Sequence, residues 1–149
     1  MEFLQPPGWT SPKGYANGVV AEGRQVFVAG QIGWDAQGVF HSDDLVEQAA
    51  QALRNVAAVL AEAGAGPQHV ARLTWYILDK GEYRRRAREL GQAYRDVMGR
   101  HYPAMTLVQV AALLEDRAKV EIEATAVVGG GKKRERDEGK KGRKENGGR

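Results

Sequence analysis

Two glutamates on one predicted strand are the first side chains suited to acid–base chemistry. The segment KVEIEATAVV, residues 119–128, alternates apolar and polar residues, and this period of two predicts a strand. The alternation places Glu121 and Glu123 on the same face. A carboxylate there can transfer protons to a bound molecule or simply face solvent. The spacing alone leaves both interpretations of Glu121 open.

The stretch HYPAMTLVQV, residues 101–110, has the pattern of a turn followed by a strand. Pro103 marks the turn, and a strand is predicted from Met105 to Ala111. Such a junction often presents a functional side chain, yet the thioether of Met105 can do almost no chemistry. Thr106 offers a hydroxyl to a ligand, although threonine is equally a good strand residue.

Other reactive side chains are few. The sequence contains no cysteine, which excludes a disulfide framework, a thiolate nucleophile and a thiolate metal site. Its three histidines, His41, His69 and His101, lie far apart, and none has a second histidine one helical turn away. We therefore expect neither a metal nor a cofactor.

Length and composition predict one globular domain. The chain has 149 residues, of which 42% are hydrophobic and 28% charged. No apolar run approaches the roughly 18 residues of a membrane-spanning helix, and the first residues lack a secretory signal pattern. We expect no membrane partner and a cytoplasmic location.

The basic charge is concentrated at the C-terminal end. Residues 129–149 contain nine Lys/Arg against four Asp/Glu and no apolar residue, which predicts a disordered tail. The remaining residues, 1–128, form the predicted domain and are slightly acidic. The tail is predicted either to bind nucleic acid or a membrane surface weakly, or to act as a solubilising extension.

Hydrophobic periodicity predicts two helices among four longer strands. The first helix is expected to begin at Asp44, because Asp44 with Glu47 three residues later is a variant of the capping box. The predicted strands are 26–30, 70–79, 105–111 and 119–128, and the predicted helices are 44–63 and 82–100.

This order favours an α+β fold with one mixed sheet, both helices on one face and hairpin-like strand pairs at each end of the chain. The runs Val26–Ala29 and Trp75–Leu78 are apolar at consecutive positions, so both faces of those strands are expected to avoid water. Two helices cover only one face. We therefore predict that a closed ring of subunits buries the other. Trp34 and Trp75 are predicted as core or interface residues, with a contribution of aromatic surface to a ligand cleft as the alternative.

Several segments together resemble the RidA (YjgF/YER057c/UK114) family. They are VFVAGQIGWD, VEQAAQALRNVAAVLAEAGA, VARLTWYILD, YRDVMGRHYPA and VQVAALLEDRAKVEIEATAVV. The match as a whole runs from about Tyr15 to Val128. The resemblance implies a chorismate-mutase-like fold and a homotrimer whose sheets form a central barrel with three clefts between subunits. In the best-known branch these clefts hydrolyse imines and enamines such as 2-aminoacrylate, releasing ammonia and a 2-keto acid.

The resemblance also locates a cleft and its departures from that branch. The arginine that binds the substrate carboxylate falls on Met105, the usual asparagine on Gly91, and a frequent cysteine on Leu107. Tyr15 and Gly30 match the family, and Glu121 falls on its proton-handling glutamate. Tyr15 is predicted either to line the cleft or to pack on the sheet, and Gly30 to serve the backbone as a bulge or as a close approach to ligand. Thr106 completes the predicted cleft. The loss of the arginine makes this cleft more apolar.

The sequence thus predicts a RidA-like homotrimer that binds or hydrolyses a small metabolite, with Glu121 as the catalytic residue. Efficient hydrolysis of 2-aminoacrylate is not expected. One alternative is a non-catalytic trimer that binds a ligand or a protein. Another is RNA binding or cleavage through the tail and the run Arg84–Arg88, since some family members have been described as endoribonucleases. Helical spacing predicts the pairs Glu82–Arg86 and Arg85–Glu89, which would make this run an ordinary solvated face.

Overall fold

The computed structural model describes residues 1–129, and the predicted tail, residues 129–149, lies outside this range apart from Gly129. The strands are β1 Glu2–Leu4, β2 Gly18–Val20, β3 Arg24–Ile32, β4 Val70–Ile77, β5 Ala104–Gln109 and β6 Val120–Val128. The helices are α1 Leu45–Glu62, α2 Lys80–Arg85 and α3 Ala87–Met98, and a 3-10 turn precedes β4.

Four strands form one mixed sheet, as predicted. Their order is β3-β6-β4-β5, with β6 antiparallel to both neighbours and β4 parallel to β5. The predicted pairing of the last two strands is wrong, because β6 enters the middle of the sheet and does not pair with β5. Four alternate side chains of β6 are buried on the face that α1 covers: Val120, Ile122, Ala124 and Ala126.

The two long helices lie on one face of the sheet, which confirms that prediction. Helix α1 packs against α3, β3 and β6. Its apolar stripe includes Leu53, Val56 and Leu60, none of which is accessible to solvent, and meets Leu73 and Ile77 of β4 in one core. None of the helices within residues 1–129 has the length and apolarity that crossing a membrane requires.

The second predicted helix is two helices. The chain leaves helical geometry at Arg86, which ends α2 and precedes α3. The predicted pairs Glu82–Arg86 and Arg85–Glu89 do not form. Instead Arg86 Nη1 lies 2.8 Å from Asp44 Oδ1, and Arg86 Nη2 lies 2.8 Å from Glu89 Oε2. The break changes the side-chain spacing and lets Arg86 connect the first turns of α1 and α3.

The predicted cap of α1 is confirmed. Asp44 Oδ2 accepts a hydrogen bond from the backbone N–H of Glu47 at 3.1 Å, and Leu45 is the first helical residue. The hydrogen bond from Arg86, followed by the one from Glu47, lowers the pKa of Asp44 below its ordinary value despite partial burial. Asp44 therefore serves both as a cap and as half of an ion pair.

The second sheet face carries no helix, as predicted, but it is not uniformly apolar. On β4, Trp75 and Ile77 point to the helices, while Tyr76 lies on the open side. Phe27 is 73% exposed there. Its other residues are largely polar: Arg72, Thr74, Thr106, Glu123 and Thr125. Side chains alternate along a strand, so the apolar runs Val26–Ala29 and Trp75–Leu78 each place some side chains on the helix side and others on the open side.

Replacing Asp44 with Asn should separate its charge from its capping role, because Asn caps a helix about as well as Asp. At pH 7 we expect Asp44→Asn to lower the free energy of unfolding by about 0.5–1 kcal/mol, the size of a partly exposed ion pair. Since the folded pKa of Asp44 is lowered, this contribution is present above the unfolded pKa and is lost as the pH falls through the folded pKa.

Urea denaturation of wild type and variant from pH 7 downward measures this difference. Asp43→Asn is the matched control, because it removes a more exposed pair with Arg117 and should change stability less. A difference that stays constant down to acid pH would show that the Asp44 charge does not contribute.

Candidate functional site

The residues predicted for one cleft lie on opposite faces of the sheet. Four line a cavity on the helix side: Tyr15, Gly91, Met105 and Leu107. The other three lie on the open side: Gly30, Thr106 and Glu121. The sheet stands between the two groups, so a single chain does not assemble them around one ligand.

The cavity on the helix side, here called the aromatic cavity, has a volume of about 530 Å³. It lies between α3 and the strands β4 and β5. Five aromatic side chains line it: Tyr15, Trp75, Tyr83, Tyr94 and Tyr102. The remaining apolar lining comes from Ala87, Leu90, Met105 and Leu107. Such walls favour a ligand with an apolar body.

The backbone around Pro103 brings Tyr15 to this cavity. The N–H of Ala16 donates to the carbonyl oxygen of Pro103 at 2.9 Å, and Ala16 forms a parallel bridge with Ala104. The segment that contains Tyr15 is thereby held beside the start of β5. Alternation along β5 then turns Met105 toward the cavity and Thr106 toward the open face. Met105 is a wall of the cavity.

Two tyrosines of this cavity, Tyr83 and Tyr94, are poor proton donors. Burial raises the pKa of Tyr94 and of Tyr83 above the ordinary tyrosine value. The Tyr94 hydroxyl donates to the carbonyl oxygen of His101 at 2.5 Å, and its ring stacks on Tyr102 with 5.6 Å between centroids. The phenols of Tyr83 and Tyr94 therefore stay protonated near neutral pH and act as walls.

Trp75 supplies an unused hydrogen-bond donor. Its side chain lines the aromatic cavity, the residue is 3% exposed, and Nε1 has no hydrogen-bond partner within residues 1–129. A buried donor without a partner costs about 1–3 kcal/mol, so it is unusual without a reason. The sequence predicted Trp75 as a core or interface residue but gave no sign of this donor, because the missing partner exists only in the packed structure.

Two cationic side chains at the cavity were also missed. Lys13 and Arg95 both line it. A Cβ at Gly91 would lie 3.3 Å from Arg95 Nη1, so the absent side chain leaves room for the guanidinium. The spacing carried a signal, since Gly91 and Arg95 are four residues apart and must share a face of α3.

On the open side, Gly30 and Glu121 are adjacent. The pairing of β3 with β6 shifts register between Val28 and Gln31, and Gly30 lies in this bulge. A Cβ at Gly30 would lie 2.3 Å from Glu121 Oε1, so only glycine lets the carboxyl group occupy its position. Gly30 thus helps to place Glu121, because its bare backbone leaves space for the carboxyl group.

A second carboxylate lies beside Glu121. The Tyr76 hydroxyl donates to Glu123 Oε1 at 2.8 Å, and this hydrogen bond raises the pKa of Tyr76. Glu121, Glu123 and Tyr76 line a depression of about 290 Å³. Thr106 lies in a separate depression with Thr74 and Tyr76. The open side therefore holds an acidic group formed by Glu121 and Glu123.

The histidines make separate structural contacts. His41 Nε2 lies 2.6 Å from Asp35 Oδ2, and His69 Nδ1 accepts from the N–H of Gly66 at 2.9 Å. His101 Nε2 lies 2.6 Å from the carbonyl oxygen of Val70. Within the part of the chain that the structure describes, no three His, Asp or Glu side chains converge in a way that could hold a metal ion.

Comparison with known proteins identifies the family. Residues 9–128 match the Endoribonuclease L-PSP family. The chain is 32% identical over 124 residues to 2-iminobutanoate/2-iminopropanoate deaminase of Homo sapiens, covering 83% of this chain and 85% of that protein. The chain therefore belongs to the Endoribonuclease L-PSP family, also called RidA or YjgF/YER057c/UK114, as the sequence predicted.

Solved structures agree with this assignment. YyfB of Yersinia pestis, a member of the Rid family, superposes with a TM-score of 0.75 at 30% identity, covering 85% of this chain and 98% of that chain. E. coli TdcF, solved with bound serine, gives a TM-score of 0.62 at 31% identity, covering 87% and 100%. These neighbours support the α+β fold with its mixed sheet.

The contact between Gly30 and Glu121 predicts a coupled pair. Gly30→Ala should lower the free energy of unfolding by about 1–3 kcal/mol, because the new methyl group overlaps the carboxyl group. In a Glu121→Ala background the same change should cost less, with a coupling energy of at least about 1 kcal/mol in a double-mutant cycle.

Denaturant titration of the four proteins measures this coupling. Glu123→Ala is the matched background, since it removes a carboxylate from the same face without relieving the overlap. An equal cost of Gly30→Ala in the wild-type and Glu121→Ala proteins would contradict the proposed contact.

Proposed function

We propose that this protein is an imine or enamine hydrolase that works as a homotrimer, with each active site between two subunits. One subunit supplies the aromatic cavity, and its neighbour supplies Glu121. This proposal rests on one observation: the predicted cleft residues of a single chain lie on opposite faces of its sheet, so two chains are needed to bring them together. Family membership and the deaminase activity named for the Homo sapiens relative support it.

The uncovered sheet face supports the ring of subunits. Phe27 is largely exposed on this face, and Val108 is partly exposed. Burial of these side chains between copies favours association, and the polar residues beside them can form hydrogen bonds across the contact. A closed ring uses the same surface of every chain and leaves no copy unpaired. The trimeric barrel implied by the resemblance satisfies this requirement.

The proposed reaction replaces a C=N bond with a C=O bond. Water adds to the imine carbon, and Glu121 accepts a proton from this water as its oxygen bonds to the carbon. The resulting carbinolamine loses ammonia after the nitrogen receives protons, and the carbon retains the oxygen as a keto group. One imino acid and one water thus yield one 2-keto acid and one ammonia.

A non-catalytic ligand-binding trimer is the second candidate, and Met105 favours it. The family arginine on this strand binds the substrate carboxylate, whereas a thioether cannot form a charge-assisted pair. Its loss weakens binding of a small carboxylate by about 1.5–3 kcal/mol, roughly 10- to 100-fold or more. RNA binding has less support, because Arg86 in the run Arg84–Arg88 is engaged by Asp44 and Glu89.

Turnover of imines should depend on Glu121. With a panel of freshly generated 2-imino acids, we expect Glu121→Gln to reduce release of 2-keto acid and ammonia at least about 100-fold. Glu123→Gln is the matched control and should retain most activity. Full activity of Glu121→Gln would remove the assigned proton role. If the wild type hydrolyses none of the imines, the ligand-binding trimer is the better account.

Mixing two inactive variants tests the site between subunits. Ala87→Trp should block the aromatic cavity, and Glu121→Gln removes the proton-transferring group. When the two variants are co-expressed with different tags and purified together, some clefts contain an intact cavity and an intact Glu121. We expect hydrolysis to exceed that of either variant alone. No gain in a mixed trimer confirmed by light scattering would place the whole site in one chain.

A further inference from the structure

We propose that Arg95, assisted by Lys13, binds the carboxylate of a ligand with an aromatic or branched apolar side chain in the aromatic cavity. The ligand class is a 2-imino or 2-keto acid substantially larger than 2-aminoacrylate. This inference rests on the proposed function, because it names the substrate class of the same cleft. It assigns to α3 the anion-binding role that the family places on β5.

The size and walls of the cavity favour such a ligand. Its volume of about 530 Å³ lies in the range typical of sites that enclose whole small molecules. Five aromatic side chains, together with Met105 and Leu107, provide surface for an apolar body. A ligand as small as 2-aminoacrylate would leave most of this surface without contacts.

Arg95 is placed to bind the carboxylate. A guanidinium can donate two parallel hydrogen bonds to a carboxylate. Arg95 Nη2 donates only to the neutral Gln92 Oε1, at 3.3 Å, and Arg95 forms no ion pair within residues 1–129. Gly91 makes the room for this guanidinium. Gly91 stands where the family usually has an asparagine, and the guanidinium of Arg95 lies beside the space that the missing side chain leaves.

The charges around the cavity favour an anion. Lys13 is a second cation at the lining, and among residues 1–129 no Asp or Glu side chain lines the cavity. The exposed position of Lys13 puts its charge toward the solvent side, whereas Trp75 is buried. Trp75 Nε1 has no acceptor within the described part of the chain. This atom is itself closed off from solvent, so the donor takes no part in the proposed carboxylate contact.

Titration calorimetry with stable keto acids tests the ligand class on the full-length chain. The probes are phenylpyruvate, pyruvate, which lacks the aromatic body, and phenylacetone, which lacks the carboxylate. We expect phenylpyruvate to bind at least about 10-fold more tightly than either of the others. Pyruvate binding as tight as that of phenylpyruvate, or no measurable binding of phenylpyruvate, would overturn the proposal.

Arg95→Gln tests the anion-binding group. It should weaken phenylpyruvate about 10- to 100-fold and leave phenylacetone unchanged. Arg88→Gln on the same helix is the matched control, because Arg88 is exposed and does not line the cavity. Gly91→Ala requires the flexible guanidinium to move only slightly, so it should weaken phenylpyruvate much less than Arg95→Gln does. Equal affinities of Arg95→Gln and Arg88→Gln for phenylpyruvate would refute the role of Arg95.

These measurements separate the two proposals, because binding of a keto acid requires no turnover. Phenylpyruvate binding that depends on Arg95, without hydrolysis of any imine, would refute the hydrolase and retain the ligand class. Hydrolysis that depends on Glu121, with no effect of Arg95→Gln on phenylpyruvate binding, would retain the hydrolase and refute the ligand class.

Discussion

The alternation of side chains along β6 is the constraint on which the rest of the structure depends. Val120, Ile122 and Ala124 enter the core under α1, and the residues between them necessarily lie on the other face. A shift of one residue in register would bury Glu121 and Glu123 and expose the core, so the pairing of β6 with both neighbours is strongly fixed. The same periodicity therefore determines the core and the location of the carboxylates.

The neighbouring strands extend this division to the whole molecule. On β5, Met105 and Leu107 share the helix side with the aromatic rings, while Thr106 lies opposite. The helix side thus concentrates apolar surface, an unused indole donor and two cations. The open side holds the carboxylates. Binding and proton transfer would use different faces of the same thin sheet, which is why the proposed active site requires two copies of the chain.

The sequence predicted helices and strands well where neighbouring residues determine them. The stripe of α1 and the cap at Asp44 depend on residues within one or two turns, and both appear in the structure. The break at Arg86 was missed because no glycine or proline marks it. Its contact with Asp44 joins residues far apart in sequence. The central position of β6 was missed for the same reason, since pairing with β3 and β4 is a long-range choice.

The predicted cleft was likewise incomplete where its features depend on long-range packing. The resemblance identified Tyr15, Gly91, Met105 and Leu107, which the structure brings to one cavity. It did not indicate Arg95, because the relevant property is the space above Gly91. It did not indicate the Trp75 donor either, since the absence of a partner exists only after packing. The spacing of Gly91 and Arg95 indicates a shared face of α3, but the position of the guanidinium at the cavity and the missing partner of the indole exist only after packing.

The separation of the aromatic cavity from Glu121 also has a thermodynamic consequence. In the proposed cleft, a ligand that contacts both groups binds the assembled ring better than the isolated chain. Ligand binding and subunit association are then linked by mass action, so each strengthens the other. Apparent affinity would rise with protein concentration, and dilution would release ligand and subunits together. A single folded chain would thus function as one component of a concentration-dependent receptor.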